Sequence, residues 1–308
     1  MAVGASGVCN ADLGTADAVG SGTTFPVTPG HEVAGTIAAV GDLVEGWSVG
    51  DRVAVGWFGG SCGHCAFCRA GDVVHCPERK IPGLSYPGGW AQSITVPADA
   101  LARVPDGLDL FDAAPFGCAG VSTFNAVRKA GIPAGGRLAV FGIGGLGHLA
   151  LQFAARLGYE TIAIARGEER EKLTRTLGAH HYIDSDANAP GAALKALGGA
   201  DLIVYTASST APVDELLAGL NTHGQLTLVG VDAGSVTVPA AQLVMNGHTL
   251  TGHLTGSARE TEQAMEFAVT HNIRPLIERM ALKQAGDAVT RLRSGAPRFR
   301  IVLDTSGQ

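Results

Sequence analysis

The sequence predicts an α/β fold with two domains, the first mostly β and the second a doubly wound parallel sheet. The 308 residues, 46% of them hydrophobic and 16% charged, suffice to bury two cores. Up to about residue 120, glycine and proline turns separate short apolar runs, at Val33 to Val40, Asp51 to Trp57 and Ala91 to Val96. From Arg137 onward, apolar strands alternate with helices, as in a parallel sheet covered on both faces.

The second domain divides clearly into predicted elements. Strands are expected at Arg137 to Phe141, Glu160 to Ala165, His180 to Asp184, Asp201 to Thr206, Gln225 to Val231 and Thr249 to Leu254. Helices are expected up to Leu157, closed by Gly158, from Glu169 to Leu177, closed by Gly178, and from about Ala258 to Thr270.

Composition excludes several classes of function. A formal net charge of -6 without a lysine or arginine cluster predicts that the protein does not bind nucleic acid. The most apolar stretch, Leu138 to Ala155, contains four glycines and His148, so it indicates a buried strand, turn and helix and no membrane span.

Residues 1–14 lack the features of a secretory signal, and we expect a soluble cytoplasmic protein. In that reducing compartment the six cysteines favour metal binding or catalysis over disulfides.

A glycine-rich loop follows the first strand of the second domain. Gly142 can make a tight turn, Gly144 lets the backbone approach a pyrophosphate, and Gly147 permits close packing of helix on strand, with Gly145 and Leu146 between them. The loop therefore predicts dinucleotide binding by a Rossmann domain, and the alternative is a simple strand–helix turn.

The end of the second strand bears on the choice of cofactor. An acidic residue there would bind the adenosine ribose, but the sequence has Ala165, Arg166 and Gly167. Arg166 favours a 2′-phosphate and hence NADP(H). The alternative is that Arg166 stacks on the adenine of NAD.

Four closely spaced cysteines predict a structural zinc site. Cys62, Cys65 and Cys68 are each separated by two residues, and Cys76 follows after seven more. Four thiolates can close a tetrahedral shell around Zn²⁺. The rival is an iron–sulfur cluster, because Pro77 follows Cys76, but the last gap is too long for a ferredoxin-like run.

The remaining cysteines predict a second metal site of another kind. Cys9 and Cys118, with His31 between them in sequence, offer two thiolates and one imidazole, which would leave one zinc coordination position open for catalysis. Taken singly, each would more often be a packed cysteine or a hydrogen-bonded core histidine. Together, and beside a four-cysteine site and a dinucleotide loop, they favour the metal site.

These motifs resemble the zinc-containing medium-chain alcohol dehydrogenases, in particular the yeast-type and cinnamyl-alcohol-type branch. The resemblance rests on Gly7-Val-Cys9, Gly30-His31-Glu32, the cysteine lobe, Cys118-Ala-Gly-Val-Ser-Thr123, the glycine loop and Arg298-Phe-Arg300. It implies a GroES-like catalytic domain in two segments, residues 1–121 and 272–308, around a Rossmann domain of residues 122–271. It also implies hydride transfer between a nicotinamide cofactor and a primary alcohol or aldehyde, one catalytic and one structural zinc, and a homodimer or homotetramer.

The resemblance assigns further roles. Cys9, His31 and Cys118 would bind the catalytic zinc, with Glu32 beside the metal as an alternative or supporting ligand. Arg300 would contact the cofactor pyrophosphate and Thr123 would lie at the nicotinamide. Trp57 and Trp90 would either line the substrate pocket or pack against turns.

Three departures from the family pattern stand out. Asn10 replaces a histidine or arginine that contacts cofactor phosphates, and Ala11 replaces the hydroxyl residue that starts the proton relay, which predicts slow turnover. Family members also carry roughly 30 residues before the matching region, so Cys9 is expected to be the least firmly held ligand. These departures motivate an alternative, a degenerate dinucleotide-binding redox sensor that kept the Rossmann half. A zinc-independent quinone reductase on the same scaffold is a further alternative, although such enzymes lack both cysteine sets.

Overall fold

The computed structural model describes residues 1–17, 25–209, 212–230 and 234–307. They form two compact units, one of residues 1–121 and 255–308 and the other of residues 122–254. None of the helices in these ranges combines the length and the apolar character that crossing a membrane requires.

The strands, in chain order, are β1 (Ala2–Val8), β2 (Val33–Thr36), β3 (Arg52–Val55), β4 (Ala102–Arg103), β5 (Arg137–Phe141), β6 (Glu160–Ala165), β7 (His181–Asp184), β8 (Ala200–Tyr205), β9 (Leu220–Leu228), β10 (Thr249–Gly252), β11 (Ile277–Ala281) and β12 (Arg300–Asp304). The α-helices are α1 (Asn10–Asp17), α2 (Ala66–Arg69), α3 (Leu110–Ala113), α4 (Ala119–Arg128), α5 (Gly147–Arg156), α6 (Glu171–Thr176), α7 (Pro190–Ala196), α8 (Val213–Ala218), α9 (Ala240–Asn246), α10 (Ala258–Thr270) and α11 (Ala285–Arg293).

The first unit is built on a mixed sheet in the order β11-β12-β1-β2-β3-β4. Strand β1 lies between β12 and β2 and is antiparallel to both, so it is held on its two edges. The predicted strand at Ala91 to Val96 is absent there: apart from one bridge between Ala2 and Ser93, this segment is irregular. Pro97 follows it and has no N–H to continue a ladder.

The second unit is a parallel sheet in the order β10-β9-β8-β5-β6-β7, with helices in the connections. Its central strands are apolar on both faces, and Ile162, Ala163 and Ile164 on β6 are all fully buried. This explains the continuous apolar runs in the sequence. The doubly wound sheet predicted for this half is confirmed, with β9 beginning five residues before the expected Gln225.

Helix α10 falls in the compact first unit, although the predicted Rossmann domain extended to residue 271. The helix begins with a capping box between Ser257 and Glu260. Its Glu262 carboxylate accepts a hydrogen bond from the Arg103 N–H at 2.8 Å, next to β4. The compact-unit boundary at residue 254 and the predicted domain boundary therefore differ by this helix and the residues around it.

Candidate metal and dinucleotide sites

Four side chains converge in the first unit although up to 109 residues separate them in sequence. Cys9 follows β1, His31 and Glu32 precede β2, and Cys118 lies between a 3₁₀ turn and α4. One potential ligand atom from each lies within 4.8 Å of the others. Because β1 and β2 are neighbouring antiparallel strands, the end of one and the start of the other meet at the same edge of the sheet.

Asp12, one turn into α1, orients the histidine. Its Oδ1 lies 2.8 Å from His31 Nδ1 and accepts the Gly30 N–H at 3.2 Å, while Oδ2 accepts the Cys9 N–H at 2.9 Å. Burial alone would lower the pKa of His31, but the charge and hydrogen bond of Asp12 outweigh it and raise that pKa well above 6.5. In the neutral form, the hydrogen bond to Asp12 keeps the proton on Nδ1 and leaves the Nε2 lone pair available to a metal.

The histidine Nε2 and one Glu32 oxygen make this cluster suited to a cation. Both atoms are buried and have no hydrogen-bond partner among the described residues. Buried polar atoms are rarely unpaired, because losing water without a replacement partner costs about 1–3 kcal/mol. Two thiols, an imidazole nitrogen and a carboxylate oxygen are also the donors that zinc prefers. The residues present therefore fit a zinc ion.

The two thiols differ in acidity when no metal is bound. A hydrogen bond from Cys118 lowers the pKa of Cys9 well below 9, although burial opposes it, and the same contact raises the pKa of Cys118. Without a metal, one of the two thiols is therefore readily deprotonated and the other is not. A bound divalent cation would favour deprotonation of the second thiol as well, since metal binding releases thiol protons.

Glu32 forms a buried ion pair with Arg300 of β12, although the two residues are 268 positions apart in the sequence. Burial raises the pKa of Glu32 to about 7, with Arg300 acting in the opposite direction. Gly7 makes room for this carboxylate, because a Cβ at that position would overlap Glu32 Oε2. The pyrophosphate contact expected for Arg300 stays a prediction, and the structure adds Glu32 as its partner.

Cys118 is placed by a close backbone approach. The Trp57 N–H donates to the Gly117 carbonyl at 3.1 Å, and a Cβ on Gly56 would overlap the same carbonyl. Glycine at both positions therefore lets the end of β3 press against the turn that carries Cys118. The Trp57 ring lies 5.6 Å from the Arg79 guanidinium, and its role in a substrate pocket stays a prediction.

The four remaining cysteines form a second cluster in the same unit. One sulfur from each of Cys62, Cys65, Cys68 and Cys76 lies within 4.8 Å of the others, and the Sγ atoms of Cys65 and Cys68 are 3.5 Å apart. Tetrahedral zinc with bonds of about 2.3 Å requires sulfurs about 3.8 Å apart, whereas a disulfide requires about 2.05 Å. Cysteine Sγ atoms accept the backbone N–H groups of Cys65 and Cys68 at 3.4 Å, and the His64 and Cys65 N–H groups lower the pKa of Cys62.

The glycine loop of the second unit has the features that dinucleotide binding requires. Gly142 has φ of +91°, and a Cβ on Gly147 would overlap the Gly142 carbonyl, so both are needed for the turn and the packing of α5. A Cβ on Gly144 would meet nothing within 4 Å, which leaves the backbone open to a ligand. Gly145 and Leu146 lie between these turns and the start of α5, a helix N-terminus that favours an anion.

Two other predicted cofactor residues lie in the second unit. Arg166 is exposed directly after β6, at the carboxyl end of the strand, where adenosine recognition is expected. Thr123 is fully buried on α4. Their contacts with a cofactor stay predictions.

Asp12 is the residue that sequence reasoning missed. A signal was present: Asp12 stands three residues after a predicted ligand cysteine, and an aspartate near a helix N-terminus can accept the N–H groups there. Cys9, expected to be loosely held near the terminus, is 9% exposed and follows a strand paired on both edges.

Comparison with known proteins identifies the family of the chain. Residues 1–106 match the family model for the alcohol dehydrogenase GroES-like domain, and residues 145–270 match the model for zinc-binding dehydrogenase. The chain is 39% identical over 302 residues to alcohol dehydrogenase patD of Penicillium expansum, covering 98% of this chain and 88% of that protein.

Two solved structures extend the comparison. A cinnamyl alcohol dehydrogenase from Sorghum bicolor superposes with a TM-score of 0.91 at 33% identity, covering 100% of this chain and 90% of that one. The Helicobacter pylori CAD complexed with NADP(H) gives a TM-score of 0.89 at 27% identity, with the same coverage. The chain thus belongs to the zinc-containing medium-chain alcohol dehydrogenase family, with a GroES-like and a Rossmann domain.

Proposed function

We propose that this protein is a zinc-dependent alcohol dehydrogenase and aldehyde reductase that transfers a hydride between a nicotinamide cofactor and a primary alcohol or aldehyde. The observation that carries the proposal is the buried cluster of Cys9, His31 and Cys118, in which the histidine Nε2 has no partner among the described residues. Three protein ligands leave one position of a tetrahedral zinc for an exogenous ligand, as catalytic sites require. The four-cysteine cluster offers a closed shell and would hold a structural zinc.

When bound, zinc would act as a Lewis acid toward the substrate oxygen, and the nicotinamide would exchange the hydride. The chain's own contribution is to hold the ligands in place. Asp12 keeps the proton on His31 Nδ1 and directs Nε2 toward the two sulfurs. Glu32 remains within ligand distance of the same site, and its charge is balanced by Arg300.

Proton release is the step that this sequence supports least. Ala11 is exposed on α1 and has no hydroxyl, and the nearby Thr15 hydroxyl donates to the Ala11 carbonyl at 3.1 Å. Proton release would then need a water chain or another group, and we expect slow turnover.

We propose NADP(H) as the preferred cofactor. Arg166 supports this, because a guanidinium binds a 2′-phosphate well. The acidic residue that would bind the ribose hydroxyls of NAD is replaced by Ala165 and Arg166. Replacing Arg166 with alanine should raise the KM for NADPH much more than that for NADH. Lys172→Ala removes another exposed cation of the same unit and serves as the control. A wild-type protein with a strong preference for NADH would reject the assignment.

Metal analysis and an activity assay test the proposal together. Purified holoprotein should contain two zinc ions per chain and reduce aldehydes, and Cys118→Ser should lose one zinc and the activity while keeping the other. One zinc per chain, with cofactor binding but no turnover, would instead favour the redox-sensor alternative. A panel of aliphatic, benzyl-type and cinnamyl-type alcohols would then define the substrate.

Assembly and location follow as further parts of the proposal. We expect a homodimer or homotetramer, which light scattering would measure directly. The six cysteines are all unpaired, which suits a reducing compartment such as the cytoplasm.

A further inference from the structure

The turn that carries His31 has no regular secondary structure and depends on a second segment for its position. The backbone N–H groups of Gly88, Gly89 and Trp90 donate to the carbonyls of Thr28, Gly30 and Pro29 at 2.7, 2.9 and 3.0 Å. The irregular segment that ends at Trp90 therefore runs along the turn and fixes its path immediately before the histidine.

The side chain of Trp90 reaches further, to the strand that carries Cys9. Its indole Nε1–H donates to the Gly7 carbonyl at 3.1 Å. Its ring packs against the apolar cluster that contains Val8, the residue before Cys9. One indole thus contacts the backbone two residues before the first ligand cysteine and the core beneath it.

The same ring also touches the histidine turn. Gly30 has φ of +105°, and a Cβ on it would overlap Trp90 Cδ1. Only a glycine lets the turn approach the indole so closely, so Trp90 contacts both backbone segments, which also bond to each other directly through the Gly7 N–H and the Glu32 carbonyl at 2.7 Å.

Metal affinity depends on these two segments keeping their spacing. Zinc–ligand distances hold within about 0.2 Å, so a small shift of one segment weakens the site. Asp12 sets the direction of the imidazole ring and accepts an N–H group from each segment. Trp90 is a second side chain that contacts both segments, and its bulk and its N–H help to hold their spacing. We propose that Trp90 is a positioning residue for the catalytic metal site, joining the Cys9 strand to the His31 turn. The proposal rests on the proposed catalytic zinc.

Trp90→Phe is the milder test, because it keeps an aromatic ring at this position while removing the indole N–H and part of the ring volume. The affinity of the catalytic site for zinc should fall about fivefold to tenfold, the value of one neutral hydrogen bond. Trp90→Ala should weaken the site further. The four-cysteine site should keep its affinity, because it is built from residues 62–76 alone, and so it serves as an internal control.

Trp47→Phe is the matched control variant. Trp47 lies in the same unit and stacks on the Arg103 guanidinium at 4.2 Å. Zinc competition with a chromophoric chelator would be measured on the full-length holoprotein of each variant, together with the absorption spectrum after cobalt substitution and the melting temperature.

Selective loss of affinity at the catalytic site in Trp90→Phe, with an altered cobalt spectrum and near-normal melting, would support the proposal. Two results would overturn it: unchanged zinc affinity at both sites, or an equal fall in zinc affinity at both sites with a lowered melting temperature. In either case the tryptophan would be an ordinary packing residue. A wild-type protein with zinc only in the four-cysteine site would instead refute the proposed function. The zinc content of the wild type is measured before any variant is made, so the two failures are distinguishable.

Discussion

The carboxylate of Asp12 offers a direct test of how the metal site is organised. It is 5% exposed and accepts hydrogen bonds from three donors, His31 Nδ1, the Gly30 N–H and the Cys9 N–H. Asp12→Asn preserves its shape but removes the charge and converts one oxygen into an NH₂ group. We expect a marked loss of zinc from the catalytic site.

The magnitude follows from the contacts. The amide will place its oxygen at the position of Oδ1, which has two donors, so its NH₂ group will face the Cys9 N–H. That buried N–H loses its acceptor at a cost of about 1–3 kcal/mol, and the histidine loses a charge-assisted bond. Carboxylates that support a metal-bound histidine typically contribute 10-fold to 100-fold in metal affinity, and we expect a weakening of about 30-fold to 100-fold here.

Chelator competition on the holoprotein would measure this loss, with the four-cysteine site as the unaffected internal reference. Asp17→Asn is the matched control: it makes the same substitution on the same helix, where the exposed carboxylate pairs with Arg293 at 2.6 Å. Zinc affinity of Asp12→Asn within twofold of wild type would refute the view that Asp12 organises the site.

Three further predictions address other parts of the molecule. Cys65→Ser should reduce the zinc content from two to one ion per chain and lower the melting temperature, because Cys65 is part of the closed shell; unchanged zinc content and melting would reject the structural role. Ala11→Ser should raise kcat by about tenfold by supplying the missing hydroxyl, while Ala16→Ser on the same helix should not, and equal rates would show that water already suffices. Burial, with a smaller contribution from a neighbouring carboxylate, raises the pKa of Asp112 from 3.8 to about 6. The folded state therefore binds the proton more tightly than the unfolded chain, and stability falls as the pH rises from about 4 to 6. Ionisation of Asp112 in the folded state then costs at most about 3 kcal/mol. In denaturant titrations, Asp112→Asn should therefore raise the free energy of unfolding by about 1–2 kcal/mol at pH 8 and hardly change it at pH 4. Equal effects at both pH values would contradict this.

Features built from neighbouring residues were predictable from the sequence. The cysteines from Cys62 to Cys76 lie within fifteen residues, so their spacing already limits how far apart the sulfurs can be. The glycines from Gly142 to Gly147 follow an apolar strand and open a helix, and both elements formed where the pattern placed them. The limits of α10 were predicted to the residue, because a capping serine and an amphipathic run mark them.

Features that depend on pairing between distant segments of the chain were harder to predict from the sequence. The apolar run at Ala91 to Val96 has the composition of a strand, but only one bridge to β1 forms, since strand formation requires a partner that local sequence does not reveal. Helix α10 packs beside β4, more than 150 residues earlier, and no local signal reveals that contact.

The sequence by itself determined the donor types, the four-cysteine lobe, the glycine loop and the alternation of strands and helices, because each is encoded within a few turns of chain. Only the tertiary structure decided that the predicted ligands Cys9, His31 and Cys118 do lie together, that Asp12 orients the histidine, and that Glu32 pairs with Arg300. The physical reason is that sheet pairing of β1 with β2 and β12 sets these distances, and pairing between distant segments depends on how the whole unit packs.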